Sequence, residues 1–323
     1  MKNLSELLKY LDFLEIIGNK DRKINSISYD SRKCINNSLF VAIKGELNDG
    51  NLYIPNSINS GANVIVCDNL PENILYEITY ILVQNTRIAL AQLSNAWYGF
   101  PTEKMKMVAV TGTNGKTTVT YLIKEILENV NLKTGLIGTT GIFILNEKIE
   151  STHTTPESLE LFELLFKMNN AGIEIVIMEV SSHSLVQNRV YGIVYSIAAF
   201  TNLTQDHLDY HKSMEEYAKA KKILFDTLSK NAISIFNADD DYSKIILNST
   251  KSNKISIGRK VENDFIIQNE SLGFVHTKFE LKSETEIIKF KINLLGRFNI
   301  DNCALSYLIA KNLGIEDIKI IVV

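Results

Sequence analysis

The feature that most constrains the fold is a glycine-rich turn between a short apolar run and a helical pattern. Residues 107–118 read MVAVTGTNGKTT, and Gly112, Gly115 and Lys116 lie in the turn. Apolar residues at helical spacing predict a helix over 117–130. A strand, such a turn and a helix form a phosphate-binding loop, because glycines let backbone N–H groups converge on phosphate oxygens. The sequence therefore predicts a nucleoside-phosphate site in an α/β domain.

The turn is a variant of the common phosphate loop. In the pattern G-x-x-x-x-G-K-[ST] the first glycine would fall at position 110, which is Val110. Lys116 can reach the outer phosphates, and the hydroxyl of Thr117 can bind Mg²⁺. The alternative is a chance glycine-rich turn, and the flanking strand and helix count against it. Motors, GTPases, kinases and ligases all use such a loop, so other residues must identify the reaction.

Size and composition indicate two domains. With 323 residues and 45% hydrophobic content, the chain can bury about two cores. The sequence Gly99-Phe100-Pro101-Thr102 interrupts a helical pattern, so we place a boundary near residue 100. We therefore expect domains over 1–100 and 101–323.

Charge and cysteine usage exclude several classes of protein. A net charge of −3 and a pI of about 6.0 argue against a generic nucleic-acid or membrane-surface binder. Apolar runs stay well below the length of about 18 residues that a membrane helix needs. Cys34, Cys67 and Cys303 are far apart and lack metal-ligand spacing, so we expect a reduced, cytoplasmic protein.

Alternating strand and helix patterns predict an α/β fold. We expect a small α/β N-terminal domain, followed by a phosphate-loop domain with a mostly parallel sheet and a smaller antiparallel part. Predicted strands are Ile24–Tyr29, Leu39–Ile43, Val64–Cys67, Ile78–Val83, Met105–Val110, Ile173–Val180, Ile193–Phe200 and Ala232–Phe236. Later antiparallel strands are predicted at Phe265–Gln268, Gly273–Leu281 and Glu286–Ile292. Further helices are predicted over 1–15, Thr86–Tyr98, Ser158–Asn169, 213–228 and Asn299–Leu313.

Polar residues follow two of the predicted strands. Glu179 closes the strand Ile173–Val180, at the edge where α/β sheets bind ligands, and is well placed for Mg²⁺. The alternative is a strand-end glutamate in water. His207 lies beside Asp206 in a region that holds four of the five histidines, so imidazole–metal binding, including a two-metal site, is a candidate.

Three lysines lie on the helix predicted over 213–228. Lys219, Lys221 and Lys222 are typical of a solvated basic face, and their spacing singles out none of them.

Several short motifs resemble the ATP-dependent Mur ligases of peptidoglycan synthesis. The N-terminal ones resemble the UDP-binding domain of those members that add a diamino acid as the third peptide residue. The resemblance covers nearly the whole chain, with the motifs in family order. The motifs are Asp30–Arg32, Leu39–Gly45, Asp49-Gly50, Gly61-Ala62, Thr111–Thr118, Glu179–His183, Phe200–His211, Asn237–Asp240 and Gly296–Asn299.

The resemblance implies an amide-bond ligase. It would add meso-diaminopimelate or L-lysine to UDP-MurNAc-L-Ala-D-Glu, with ATP converting the substrate carboxylate into an acyl phosphate that the amine then attacks. Such a site screens charge between two anions, so it needs Mg²⁺, Lys and Arg rather than a protein nucleophile.

The resemblance also implies roles for individual residues. Lys116 would stabilise the transferring phosphoryl group, and Thr117 and Glu179 would hold a first Mg²⁺. His207 would serve a second Mg²⁺, and Lys221 matches a lysine that CO₂ carbamylates into an anionic oxygen ligand. For Lys221 alone, the resemblance replaces the interpretation as part of a solvated basic face. The residues matched to nucleotide contacts are Gly112, Thr113, Asn114, Gly115, Lys116, Thr117, Thr118 and Asn299.

Substrate contacts are implied in the same way. Arg189 suits an anionic substrate because its guanidinium fork fits carboxylate or phosphate. Glu46 departs from the usual loop chemistry, since an acid opposes an anionic ligand unless backbone groups make the contact. The residues matched to the uridine diphosphate are Tyr29, Ser31, Glu46, Leu47 and Asn48. Those matched to the sugar and peptide are His153, Thr154, Thr155, Ser181, Gln187 and Arg189.

Mur ligases have a third domain that binds the incoming amino acid, and little chain follows Gly296–Asn299 to form it. We expect a fragment, a degenerate gene product, or a chain whose partner supplies the rest, with ligand binding but little ligation alone. Two alternatives stay open. One is a non-catalytic protein that binds UDP-MurNAc-peptide and ATP; the other is a related ligase of the folylpolyglutamate or cyanophycin type.

Overall fold

The structure is a computed structural model that describes residues 1–45, 48–151 and 153–317. Contacts group the described chain into two compact units. The first unit comprises Met1–Pro101 together with Glu157–Lys167 and Gln187–Gly192, and the second comprises the remainder. Two short segments from later in the chain thus belong to the N-terminal unit.

The first unit is built on a five-stranded sheet. Its strand order is β2-β7-β6-β5-β4, with β2 antiparallel to β7 and the other pairs parallel, while β1 and β3 form a separate antiparallel pair. The strands are β1 (Lys2–Asn3), β2 (Glu15–Ile17), β3 (Lys23–Ile24), β4 (Ser26–Ser28), β5 (Ser38–Val41), β6 (Ala62–Cys67) and β7 (Thr79–Leu82). The helices are α1 (Leu4–Leu7), α2 (Ile54–Asn59) and α3 (Thr86–Trp97), with 3₁₀ turns at Leu8–Tyr10, Ser31–Lys33 and Gly50–Tyr53.

Apolar burial and capping explain these elements. Val64, Val66 and Ile81 are fully buried in a core that α3 also joins, as expected for a parallel sheet covered by helices. Helix α3 begins after Asn85, whose side-chain oxygen accepts hydrogen bonds from the next backbone N–H groups and so satisfies donors that a helix start leaves open.

The second unit contains an eleven-stranded sheet. Its strands are β8 (Lys106–Thr111), β9 (Thr134–Gly138), β10 (Gly141–Ile144), β11 (Glu147–Ile149), β12 (Ile175–Glu179), β13 (Ile197–Phe200), β14 (Ile233–Asn237), β15 (Asn253–Gly258), β16 (Phe265–Leu272), β17 (Thr277–Lys282) and β18 (Ile287–Ile292). The remaining helices are α4 (Lys116–Asn129), α5 (Ser158–Asn170), α6 (Ser182–Val186), α7 (Leu208–His211), α8 (Met214–Asp226), α9 (Ser243–Ile246) and α10 (Arg297–Asn312), with a 3₁₀ turn at Pro101–Lys104.

Parallel strands form the centre of this sheet and antiparallel strands form both edges. The order is β11-β10-β9-β12-β8-β13-β14-β15-β16-β17-β18, and the pairs from β9 to β16 are parallel. The two hairpin-like edges, β9–β10–β11 and β16–β17–β18, are antiparallel. The predicted α/β class, with a mostly parallel sheet and a smaller antiparallel part, is confirmed.

The topology places the ends of three neighbouring central strands together. Strands β12, β8 and β13 pair in parallel, so Glu179, Thr111 and Phe200 end them at the same edge of the sheet. Every residue of β12 is buried, which explains the apolar sequence that precedes Glu179. Helices α4 and α10 contribute to the same core cluster as the sheet. Among the described helices, none has the length and apolar character that a membrane crossing requires.

The N-terminal helix is much shorter than predicted. The pattern over 1–15 predicts one helix, but α1 ends at Leu7 and backbone pairing takes over by Leu14, whose N–H donates to the carbonyl of Leu82. Strand pairing of β2 with β7 therefore overrides the helical periodicity. The strand predicted over Ile24–Tyr29 is split into β3 and β4, and Asn25 between them donates to Asn37.

Candidate active site

The glycine-rich turn lies between the end of β8 and the start of α4. Gly112 has φ of +145° and Gly115, which caps α4, has φ of +87°, conformations that favour glycine. A Cβ at position 112 would lie 1.9 Å from Oγ1 of Thr201. The first backbone N–H groups of a helix lack acceptors within the helix, so this turn presents donors to an anion.

Residues that follow β13 hold the turn in this shape. The N–H of Thr113 donates to the carbonyl of Asn202 at 2.8 Å, and the N–H of Asn114 donates to Oδ1 of Asn202 at 3.1 Å. Thr204 donates its N–H to Oγ1 of Thr113 at 3.0 Å. These bonds fix the loop before any ligand binds, which lowers the ordering cost of binding.

Two lysines converge on one carbonyl oxygen of the turn. Nζ of Lys116 donates to the carbonyls of Gly112 at 3.0 Å and Thr113 at 2.7 Å. Nζ of Lys221, from α8, donates to the same Gly112 oxygen at 2.9 Å. Burial, and then the charge of Lys116, lower the pKa of Lys221 well below its ordinary value. Burial also lowers the pKa of Lys116, against the opposing effect of Glu179.

The three lysines of α8 have different surroundings. Lys221 is 1% exposed, and its Nζ lies 4.3 Å from the ring centre of Tyr217. Lys219 pairs with Glu216 at 2.7 Å, and Lys222 pairs with an aspartate one turn along the helix. The interpretation as a solvated basic face is therefore wrong for Lys221.

Glu179 is a buried carboxylate surrounded by neutral donors. It is fully buried at the end of β12, so the alternative of a strand-end glutamate in water is wrong. Oε1 accepts from Oγ1 of Thr117 at 3.0 Å and from the N–H of Thr139 at 3.1 Å, and Oε2 accepts from Oγ1 of Thr139 at 3.1 Å. A Cβ at Gly138 would lie 2.4 Å from Oε1. Neutral donors leave the negative charge in place, which suits a cation beside the phosphate loop.

A group of histidine rings lies after the strands β12 and β13. The ring centres of His183 and His207 are 4.9 Å apart, and His207 approaches Asp206 at 3.4 Å. Nε2 of His211 lies 2.8 Å from Oγ of Ser182. Burial and the nearby His183 lower the pKa of His211 to about 4.

Within residues 1–45, 48–151 and 153–317, no group of three or more His, Cys, Asp and Glu side chains is arranged to hold a metal ion. The role of His207 as a ligand therefore stays a prediction. Mg²⁺ is usually held by one or two carboxylates together with phosphates and waters, so Glu179 and Thr117 remain a suitable pair.

Three of the residues predicted to contact the sugar and peptide, Thr154, Thr155 and Ser181, lie near Glu179 in the second unit. Oγ1 of Thr155 donates to the backbone carbonyl of Glu179 at 2.9 Å and accepts from the N–H of Ser181 at 3.2 Å. The hydroxyls of Thr154 and Thr139 are 3.1 Å apart. This predicted set falls in both units: His153, Thr154, Thr155 and Ser181 lie in the second, and Gln187 and Arg189 lie in the first.

In the first unit, a cluster of charged side chains includes Arg189. Its Nε and Nη2 donate to Oε1 of Gln187 at 3.0 and 2.6 Å, and Nε lies 3.5 Å from Oε2 of Glu157. Arg87 pairs with the same oxygen of Glu157 at 3.2 Å and donates to the carbonyl of Lys44 at 3.2 Å. Glu157 thus joins two arginines, one of which contacts the backbone of Lys44.

The other predicted uridine contacts also lie in the first unit. Tyr29 donates its hydroxyl to Oε1 of Glu160 at 2.9 Å, and burial together with Glu160 raises the pKa of Tyr29. Ser31 is buried at the start of its 3₁₀ turn, and the carbonyl of Asn48 accepts from Gly45 at 2.8 Å. Glu46 and Leu47 lie outside the described residues.

Helix α10 brings two asparagines to the nucleotide loop. Asn299 donates to the carbonyl of Leu295 at 2.9 Å and accepts from Nδ2 of Asn302 at 3.2 Å. A Cβ at Gly115 would lie 2.3 Å from Oδ1 of Asn302, so the helix packs directly on the turn. Thr118 lies in the first turn of α4.

Two family models match the chain in these regions. The model described as the Mur ligase middle domain matches residues 110–310, and the model described as the catalytic domain of the Mur ligase family matches residues 23–98.

The chain belongs to the Mur ligase family. This Mur ligase chain is 42% identical over 316 residues, which are 97% of its length, to a relative from Clostridium tetani. That relative is named UDP-N-acetylmuramoyl-L-alanyl-D-glutamate–2,6-diaminopimelate ligase. The protein of the same name from Caldanaerobacter subterraneus is 43% identical over 97% of this chain. The chain spans 64% of the length of each of these two relatives.

Solved structures share the fold. A structure of a UDP-N-acetylmuramoyl-L-alanyl-D-glutamate–2,6-diaminopimelate ligase superposes with a TM-score of 0.86 at 25% identity, covering 99% of this chain and 65% of that one. The MurF ligase from Thermotoga maritima, in complex with ADP, has a TM-score of 0.60 at 19% identity, covering 100% of this chain and 67% of that one.

Sequence analysis missed some residues of this Mur ligase site. Thr139 follows β9, whose sequence TGLIG lacks a clear strand pattern because it contains two glycines. Recognising β9 would have placed a threonine at the end of a central strand. Glu157 carries no local signal, because its partners Arg87 and Arg189 are distant in sequence. Tyr217 lies four residues before Lys221 on α8, and this helical spacing is the signal that could have paired them.

The geometry of Gly112 predicts that Gly112→Ala is strongly destabilising. An added Cβ meets Thr201 and the backbone of Asn202, so clash adds to backbone strain, and we expect a loss of about 2 kcal/mol or more in unfolding free energy. Gly314→Ala is the control, because Gly314 has φ of +97° with nothing within 4 Å of the added Cβ. Urea unfolding of both variants measures the difference, and equal losses would contradict the close approach at Gly112.

Proposed function

We propose that this chain forms the UDP-sugar-binding and ATP-binding parts of a ligase that joins 2,6-diaminopimelate to UDP-MurNAc-L-Ala-D-Glu. The glutamyl carboxylate attacks the γ-phosphorus of ATP and ADP leaves. The amine then attacks the acyl phosphate and inorganic phosphate leaves. The names of the relatives support this assignment. The chain spans 64% of their length, so both the activity and the substrates belong to the proposal.

The observation that carries the proposal is the meeting of two buried lysines at Gly112, beside the Thr117–Glu179 pair. Burial lowers the pKa of Lys221, and repulsion between the two lysine side chains at this carbonyl lowers it further. Phosphate oxygens would relieve this repulsion and accept stronger, charge-assisted hydrogen bonds. The MurF ligase from Thermotoga maritima, which shares the fold, is in complex with ADP.

The chain's own residues would perform three tasks in the reaction. The N–H groups at the start of α4 bind the phosphates, and Lys116 neutralises charge on the transferring phosphoryl group. Asn299 contacts the adenine side of the nucleotide. Thr154, Thr155 and neighbouring residues of the second unit bind the sugar-peptide so that its carboxylate lies in line for attack, which lowers the entropic part of the barrier.

The residues present fit Mg²⁺. Within the described part of the chain, the fully buried Glu179 accepts hydrogen bonds from neutral donors alone, and the hydroxyl of Thr117 lies 3.0 Å from it, so a hard cation would complete the charge balance. When bound, Mg²⁺ would neutralise phosphate charge and polarise the γ-phosphoryl group. We assign Thr117 and Glu179 to this ion, and His207 with Lys221 to a second.

Lys221 is proposed to carry a carbamate. Its neutral amine would form an N–C bond with CO₂ and release a proton, giving an anionic oxygen donor in place of a cation. Burial disfavours the ammonium form of Lys221 and so favours the neutral amine that carbamylation needs, and a bound metal cation would stabilise the carbamate anion. Carbamylation thereby removes the repulsion between Lys221 and Lys116.

We propose that the first unit binds the uridine diphosphate part of the substrate. Tyr29, Ser31 and the 46–48 segment would contact uridine diphosphate, and Arg189 would bind an anionic group of the sugar-peptide. The free, buried cysteines agree with a cytoplasmic reaction.

Titration calorimetry with UDP-MurNAc-L-Ala-D-Glu tests the substrate assignment. We expect binding by the wild-type chain and at least about a 10-fold weaker Kd for Arg189→Ala, because a charge-assisted bond is lost. Lys9→Ala, an exposed cation of the same unit, should leave Kd unchanged. Folate binding with no signal from the UDP-sugar would instead favour a folylpolyglutamate-type ligase.

Lys116→Ala should weaken nucleotide binding. We expect Kd for ADP to rise by about 10-fold or more, because an ammonium–phosphate hydrogen bond is lost in a largely buried site. Lys106→Ala is the matched control, since Lys106 is exposed at the start of β8. Equal ADP affinity in the wild type and Lys116→Ala would contradict the placement of phosphates at this turn.

Carbamylation predicts a specific spectroscopic signal. With ¹³C-bicarbonate, wild-type protein should show a carbamate carbon resonance that Lys221→Ala lacks and Lys219→Ala retains, because Lys219 is an exposed lysine of the same helix. Where ligation is measurable, a short carboxylic acid should restore turnover to Lys221→Ala. A wild-type spectrum without the resonance would contradict the carbamate.

A further inference from the structure

Thr139 lies in the short connection between β9 and β10 and touches two parts of the proposed site. Its N–H and its hydroxyl each donate to a different oxygen of Glu179, both at 3.1 Å. Its Oγ1 is also 3.1 Å from Oγ1 of Thr154, a residue matched to the sugar-peptide contacts. Thr139 therefore links the carboxylate assigned to Mg²⁺ with the segment assigned to the peptide.

We propose that Thr139 is a positioning residue that orients Glu179 toward the metal and fixes the direction of the hydrogen bond made by Thr154. The inference rests on the proposed function, because it concerns the same metal and the same peptide substrate. Neither the motifs nor the family resemblance points to Thr139.

The direction of each hydrogen bond follows from counting protons. An ionised carboxylate only accepts hydrogen bonds, and a threonine hydroxyl has one proton to donate. Thr139 gives its proton to Oε2 of Glu179, so in its contact with Thr154 it accepts. The proton of Thr154 is thereby directed at Thr139, and the chain of donation runs from Thr154 through Thr139 to Glu179.

This direction determines what Thr154 can offer a substrate. With its proton engaged, the Thr154 hydroxyl presents lone pairs, which accept from an N–H or O–H group. Phosphate and carboxylate oxygens are acceptors and would gain nothing from it. The group of the sugar-peptide that meets Thr154 is therefore a donor, namely a peptide N–H or a sugar hydroxyl.

The two bonds also restrain Glu179 itself. Thr117 and the N–H of Thr139 both donate to Oε1, whereas Oε2 accepts only from the Thr139 hydroxyl among the side chains that the structure describes. Removing this hydroxyl frees the carboxylate to rotate about its last torsion. Partners that orient metal ligands in this way typically contribute 10-fold to 100-fold to metal affinity.

Thr139 is suited to a substitution test because its side chain is exposed, so its removal leaves no core cavity. Thr139→Val keeps the shape and the backbone N–H but removes the hydroxyl, and Thr139→Ser restores it. The neighbouring Thr140 is also exposed, and its hydroxyl contacts Tyr121 rather than Glu179. Thr140→Val is therefore a matched control.

The metal readout is Mn²⁺ affinity of the ADP-bound protein, measured by electron paramagnetic resonance. We expect about a 10-fold or greater loss for Thr139→Val, and values within about 2-fold of wild type for Thr139→Ser and Thr140→Val. Unchanged Mn²⁺ affinity in Thr139→Val, with normal binding in the wild type, would overturn the positioning role and leave the proposed function intact. A wild-type protein that binds neither ADP nor Mn²⁺ would instead overturn the proposed function.

The peptide readout is calorimetry with UDP-MurNAc-L-Ala-D-Glu. Thr139→Val and Thr154→Val should each weaken binding, and the double variant should lose less than the product of the single losses, because the two hydroxyls act as one chain. Independent, multiplicative losses would overturn the link between Thr139 and Thr154. Thermal melting of each variant separates these losses from unfolding.

Discussion

The carbonyl oxygen of Gly112 is the point on which the proposed site depends. Lys116 and Lys221 both donate to it, one from the start of α4 and one from the interior of α8. Burying two ammonium groups at one acceptor is costly unless negative charge is close by. Glu179 and Asp206 supply part of it through their electrostatic effects on these lysines. Before Lys221 is carbamylated, a polyanionic ligand would supply the rest, so charge balance favours phosphates at this position.

The sheet makes this convergence possible. Three parallel strands end side by side, so a glycine turn, a carboxylate and the loop that holds the turn emerge at one edge. Glycine at three points allows close contact: Gly112 against Thr201, Gly115 against Asn302, and Gly138 against Glu179. The backbone brings the groups together, and the absence of a Cβ lets them touch.

Local features of the fold and site could be predicted from sequence, and features set by tertiary contacts could not. The strand–turn–helix around Gly112 and the buried strand ending at Glu179 were predicted because their patterns span few residues. The helical periodicity of residues 1–15 predicted one long helix, and this prediction was wrong because the pairing of β2 with β7 outweighs the periodicity. Spacing could not distinguish Lys221 from Lys219, since both lie on α8 and only the rotation of that helix buries one of them. Thr139 was not predicted as a site residue because the two glycines of β9 weaken the strand pattern that precedes it.

Gly138 has a consequence for how this sequence can vary. Its backbone is not in the left-handed region, so alanine would be conformationally acceptable there, yet the methyl group would occupy the space of the Glu179 carboxylate oxygen. A chain with a shorter side chain at position 179 could accept alanine at position 138, whereas a chain that keeps this glutamate is held at glycine. The residue found at 138 in a homologue therefore distinguishes chains that retain the chemistry from those that keep only the shape.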